Sequence, residues 1–151
     1  MKTLLLALLL SSQAYAIELK FIGPCEEEFI MKVEVNEAYS NVGELTVATL
    51  AKFSIPFKGT EAGLASAFET PTGADAVEVV SSEETRAYGW CFSVDGVSPE
   101  VYPHEIAITP ETKQITWHFG FARFFRGEWV TQCTPSYTVK PAFLCQDPTA
   151  E

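Results

Sequence analysis

The 151-residue chain carries ten Lys and Arg against twenty Asp and Glu, for a formal net charge of −10, and 47% of its residues are hydrophobic. That acidity leaves no basic stripe to meet phosphates and argues against a nucleic-acid partner. Its four cysteines form no Cys-x-x-Cys pair, which argues against a zinc ribbon or a thioredoxin-like redox centre.

The chain opens with Lys2, an apolar run from Leu4 to Leu10 and the small-x-small sequence Ala14-Tyr15-Ala16. This is the pattern of a secretory signal peptide over residues 1–16, with a run too short to span a bilayer. The expected product is a secreted or periplasmic protein without a membrane span, starting at Ile17. No cysteine follows the cleavage site, so a lipid-modified N-terminus is not expected. Residues 17–151 amount to a single domain. An even cysteine count in an exported chain predicts two disulfides among Cys25, Cys91, Cys133 and Cys145, and spacing leaves all three pairings open. Neither Asn36 nor Asn41 lies in a glycosylation sequon.

Ile17, Leu19 and Phe21 alternate with Glu18 and Lys20, a half-buried strand that Gly23-Pro24 ends. Glu26-Glu27-Glu28 reads as a solvated turn, and residues 29–36 alternate again as a second strand, hairpin-paired to the first. From Asn41 to Phe53 the period changes. Asn41 with Glu44 resembles a capping box, and Val42, Leu45, Val47, Leu50 and Ala51 make a broad apolar helical face. Residues 63–68 read as a short helical turn, 75–80 as strand-like and 81–84 as a polar connection. Tyr88–Val94 alternates as a strand that Asp95-Gly96 turns sharply. Residues 101–108 hold a brief extended piece, 115–125 a long strand with Ile115, Trp117, Phe119 and Phe121 on one face, and Arg126-Gly127 a final hairpin turn. Strands that open the chain must share a sheet with those that close it, because a lone hairpin is marginal in water. The expected fold is α+β: a mixed sheet packed by one main helix, with a disulfide-stapled C-terminal hairpin and tail.

The order of these elements, with Gly89-Trp90-Cys91-Phe92-Ser93-Val94-Asp95-Gly96-Val97 and Ile115-Thr116-Trp117-His118-Phe119, resembles the transcobalamin-like C-terminal domain, a β-grasp family found in cobalamin carriers and in exported bacterial proteins. The resemblance spans a core of residues 17–121 and leaves 122–151 as an extension. It implies a β-grasp sheet and, by family alone, cobalamin as a possible ligand. The chain departs from the family at Pro110-Glu111-Thr112-Lys113, where a Gly-Asp turn is usual, and in its cysteines. It also lacks the helical barrel that supplies the other half of a carrier's corrinoid cage.

No G-x-S-x-G, H-E-x-x-H or P-loop is present. His104 and His118 read as surface or helix-facing histidines, with a metal ligand or base as the alternative; Cys91 reads as a disulfide partner, with a thiol nucleophile beside His118 as the alternative. Glu26-Glu27-Glu28 and the group Asp75, Glu78, Glu83 and Glu84 lack the glycine-spaced pattern of a calcium loop. Neither a metal nor a bound cofactor is expected. Aromatic and arginine residues crowd the last strands, and Tyr88, Arg123, Phe124, Arg126 and Trp129 form the candidate surface for a small ligand or a protein partner, that composition being typical of interface anchors. The alternative is a second small cluster beneath the tail. The expected function is a non-catalytic, exported binding module; a corrinoid-binding domain and a secreted hydrolase without a recognisable motif are the alternatives.

Overall fold

The computed structural model describes residues 16–145. The expected leader therefore lies, but for Ala16, outside the described residues. The chain is mostly β, with one α-helix. Strands β1 (Ile17–Ile22) and β2 (Phe29–Val35) pair antiparallel. Helix α1 (Val42–Lys52) follows, then a hairpin of β3 (Phe57–Thr60) and β4 (Gly63–Ala67). The short β5 (Val77–Val79), the long β6 (Glu84–Val94) and β7 (Gln114–Phe125), and β8 (Glu128–Pro135) complete the set.

The main sheet runs β2-β1-β7-β6-β5, with β8 also paired to β7. Strand β1 lies parallel to β7, so the opening and closing strands share hydrogen bonds at the centre of the sheet. The other pairs are antiparallel, which makes the sheet mixed. Period-two alternation explains the core directly. Ile17, Leu19 and Phe21 of β1, and Ile115, Trp117, Phe119 and Phe121 of β7, are all buried on one face. Cross-strand register adds Trp90 opposite Phe119 and Tyr88 opposite Phe121. Phe21 stacks on Trp117 and meets Trp90 edge-on, so the aromatic groups form one continuous cluster.

Helix α1 covers this face with Val42, Leu45 and Leu50, all fully buried. Asn41 Oδ1 accepts the Glu44 N–H at 2.8 Å, while Glu44 Oε2 accepts the N–H of Ser40 at 2.7 Å. The expected capping box is thus present with its return bond moved one residue outward. Val and Thr are weak helix formers, and burial compensates: Thr46 donates to the Val42 carbonyl and accepts the indole N–H of Trp117 at 3.0 Å. Gly43 lies against the Glu61 carbonyl so closely that a Cβ there would overlap it, which locks the helix onto the β3–β4 turn.

Three expectations change. Residues 63–68 are not a helical turn but contain β4, where Leu64 and Ser66 are buried and Ala65 is exposed. Small residues hid the alternation, and β3 escaped notice for the same reason. Residues 75–80 divide between a 3-10 turn at Gly73–Ala76 and β5. Residues 101–108 add a 3-10 turn at Pro103–Glu105, closed by Tyr102 N–H donating to Glu105 Oε2 at 2.9 Å, ahead of the expected brief extended piece, which bridges Ala107 to Asn41. The Asp95-Gly96 turn forms, with φ of +49° and +81°, the primed geometry that matches strand twist. Val94 and Val97 bond each other across it at 2.9 Å. The partner strand of β6 nevertheless comes only at Gln114, after a long excursion whose end Asp95 holds by accepting the N–H groups of Lys113 and Gln114.

The cysteines resolve as Cys25–Cys145 and Cys91–Cys133, with Cα separations of 5.5 and 5.8 Å. The first ties the tail to the β1–β2 connection. The second joins β6 to β8 across β7.

Candidate functional site

Two regions qualify, the C-terminal hairpin expected from sequence and a cleft at the edge of β6. At the hairpin, Glu84 pairs with Phe125 and Arg86 with Arg123 in register, so these four share the core-side face. Arg123 donates to Glu84 Oε2 at 2.8 Å and its guanidinium lies over the Phe125 ring. Arg86 bridges Glu84 and Glu78. The hydrogen bond from Arg123 holds the Glu84 carboxyl below its ordinary range. Arg126 reaches Glu83 at 3.2 Å. Phe124 sits on the opposite face, edge-to-face with Trp129, which is 55% exposed. Tyr88 joins this network from the core side, sharing Glu78 Oε2 with Arg86. It is buried among Phe119, Phe121 and Phe143, and its hydroxyl donates to Glu78 Oε2 at 2.7 Å. Burial above all, then the Glu78 hydrogen bond, pushes its phenol up to about 12. The structure therefore joins Phe124 to Trp129, sends each arginine to a glutamate, and places Tyr88 in the core.

His118 faces away from the core, beside the Cys91–Cys133 bridge, and its Nε2–H donates to the Cys133 carbonyl at 2.9 Å. Burial lowers its pKa, with that hydrogen bond opposing the shift. Cys91 is disulfide-bonded and supplies no thiol. Glu26, Glu27 and Glu28 are exposed. Among the described residues no group of three or more His, Cys, Asp or Glu side chains is placed to hold a metal ion, and no helix is long and apolar enough to cross a membrane.

The cleft is the feature that sequence reasoning missed. Its volume is about 570 Å³. The β3–β4 hairpin walls one side through Gly59, Thr60, Ala62, Gly63, Leu64 and Ala65. Ser98, Pro99, Val101, Tyr102 and Pro103 of the β6–β7 excursion wall the other. Trp90, Phe92, Trp117 and the Cys91–Cys133 bridge line it between these walls. Trp90 and Phe92 face the core whereas Cys91 faces the other way, so the cleft wraps the edge of β6. Val101 and Tyr102 on its wall, 50% and 64% exposed, leave apolar surface uncovered. No lining residue carries an acid, an amine, an imidazole or a free thiol.

Hydrogen-bond polarity shows what that edge presents. Val80 N–H donates to the Glu84 carbonyl, and Val94 N–H donates to Val97, both on the side away from β7. Asp95 N–H instead donates to Gln114, on the β7 side. Main-chain groups alternate sides along a strand, so the even-numbered residues between 84 and 94 point away from β7. Strand β5 pairs only with Thr85–Ala87. The N–H and C=O groups of Trp90 and Phe92 therefore face the cleft, and among the described residues no strand is hydrogen-bonded to them, although β4 packs close to β6 without pairing with it.

No family model matches the chain, and no curated protein matches it in sequence. Among solved structures it is similar to a proposed metal binding protein from Ruminococcus gnavus ATCC 29149, at 13% identity over 70% of this chain and 97% of that one, with a TM-score of 0.44. At that distance the likeness carries no argument about ligand or mechanism.

Proposed function

We propose that the protein is an exported, non-catalytic binding module of β-grasp type whose ligand lies in the cleft along β6. The observation that carries this reading is the cleft itself. It has the volume of small-ligand sites, apolar and aromatic walls, and polar groups supplied by backbone and hydroxyls. The lining residues offer no carboxylate, amine, imidazole or free thiol to activate the hydroxyls of Thr60, Ser98 and Tyr102, which supports binding over hydrolysis. Two disulfides support an oxidising, extracytoplasmic setting. The parallel β1–β7 centre, with α1 packed on the sheet, supports the β-grasp reading.

Titration with the fluorescent amphiphile 8-anilinonaphthalene-1-sulfonate tests the site. Ala65 is exposed in β4 and lines the cleft, so Ala65→Trp fills the space without replacing a core side chain. The wild type is expected to give saturable binding that this variant weakens at least about tenfold, about 1.4 kcal/mol. Equal binding by both proteins overturns the reading. A parallel titration with cobalamin, followed by visible absorbance, tests the corrinoid alternative: micromolar binding favours it, and no binding at millimolar ligand removes it.

A further inference from the structure

We infer that the occupant of the cleft is an extended polypeptide segment that adds a strand to β6. This deepens, and rests on, the cleft reading above. Three observations carry it. The main-chain N–H and C=O of both Trp90 and Phe92 point into the cleft without a paired strand. Main-chain donors and acceptors repeating at every second residue match the backbone of another strand, and an incoming chain satisfies them all at once. The cleft also wraps both faces of the edge, so alternate side chains of the incomer meet different walls. One set meets Trp90, Phe92 and Leu64; the other meets the Cys91–Cys133 bridge. Finally, exposed Glu61 and Glu100 adjoin lining residues against one exposed lysine, Lys58, that does so, on a molecule of net charge −10. Charge complementarity selects a segment with Lys or Arg flanking its apolar positions.

The test is selection from a random twelve-residue peptide library displayed on phage. The intact disulfide-bonded protein is the target, and the Ala65→Trp variant is the counter-target. Recovered sequences are expected to alternate apolar with other residues and to be net cationic. A synthetic peptide from the pool should lose affinity at least about tenfold when its alternate, β6-facing amides are N-methylated, and N-methylation of the intervening amides should have little effect. Hydrogen exchange should show the Trp90 and Phe92 amides newly protected in the complex. The inference is overturned if no clone depends on the open cleft, if the two N-methylated series bind alike, or if sedimentation shows a dimer that Ala65→Trp dissociates. Should naphthalene-sulfonate binding still respond to Ala65→Trp in those cases, the cleft survives as a ligand site and only the peptide is excluded.

Discussion

The two core tryptophans show how single residues set the terms for this core. A buried indole N–H needs an acceptor, and each finds a threonine: Trp117 bonds Thr46 at 3.0 Å and Trp90 bonds Thr70 at 2.8 Å. Among the described residues no buried side-chain polar atom is left without a partner. Thr46→Val keeps the shape but strands the Trp117 donor. Chemical denaturation should show a loss of about 1–3 kcal/mol, and Thr46→Ser should recover part of it. His118 supplies a pH test. Its folded-state pKa is lowered by burial from the ordinary 6.5. As pH falls through 6.5 the unfolded chain takes up a proton that the folded chain refuses, so stability drops. The drop levels off once pH is below the folded-state value. Urea midpoints measured between pH 8 and 5 should show this fall, and His118→Gln should flatten it. That these aromatic residues alternate was legible along the chain. Their partners were not, because Thr46 and Trp117 lie 71 residues apart.

At the scale of elements, β8 and its turn explain why composition pointed to the hairpin. Aromatic and arginine residues cluster there, but Arg123 and Arg126 find Glu84 and Glu83, 39 and 43 positions away. Phe124 and Phe125 do point to opposite faces, as a strand requires, and each has a local contact. The partly exposed Arg123–Glu84 pair contributes little, and Trp129 is more than half solvated. The double variant Arg123→Ala, Trp129→Ala should therefore cost only about 1–2 kcal/mol and leave naphthalene-sulfonate binding unchanged. Loss of that binding would move the site from the cleft to the hairpin. Gly120 has a different role. A Cβ there would meet the Thr134 carbonyl at 2.9 Å, so β8 approaches β7 only over a bare backbone. Gly120→Ala should lower the melting temperature by several degrees in a thermal scan, a cost of about 1–3 kcal/mol.

For the molecule as a whole, the disulfides join parts that the sheet alone leaves loosely tied. Cys25–Cys145 closes a separation of 120 residues and Cys91–Cys133 one of 42. Chain entropy sets upper limits of roughly 5 and 4 kcal/mol for them. Paired alanine variants measured by urea denaturation should both be destabilised. Only Cys91→Ala, Cys133→Ala should also weaken naphthalene-sulfonate binding, since that bridge lines the cleft and the other does not.

What the chain alone determined is local. Alternation at 17–22, 29–35 and 115–125 placed three strands and their buried faces, and Asn41 with Glu44 placed the start of the helix. Asp95-Gly96 and Arg126-Gly127 placed two turns through backbone geometry that few residues adopt. These signals are legible because side-chain period and turn conformation depend on near neighbours. Only the tertiary structure decided the parallel joining of β1 to β7, the cysteine pairing and the partners of the arginines. It alone exposed the free edge of β6. A strand's edge is open or covered according to which distant segment packs beside it, and here β5 ends before Tyr88 while a hairpin of small residues stands across the gap.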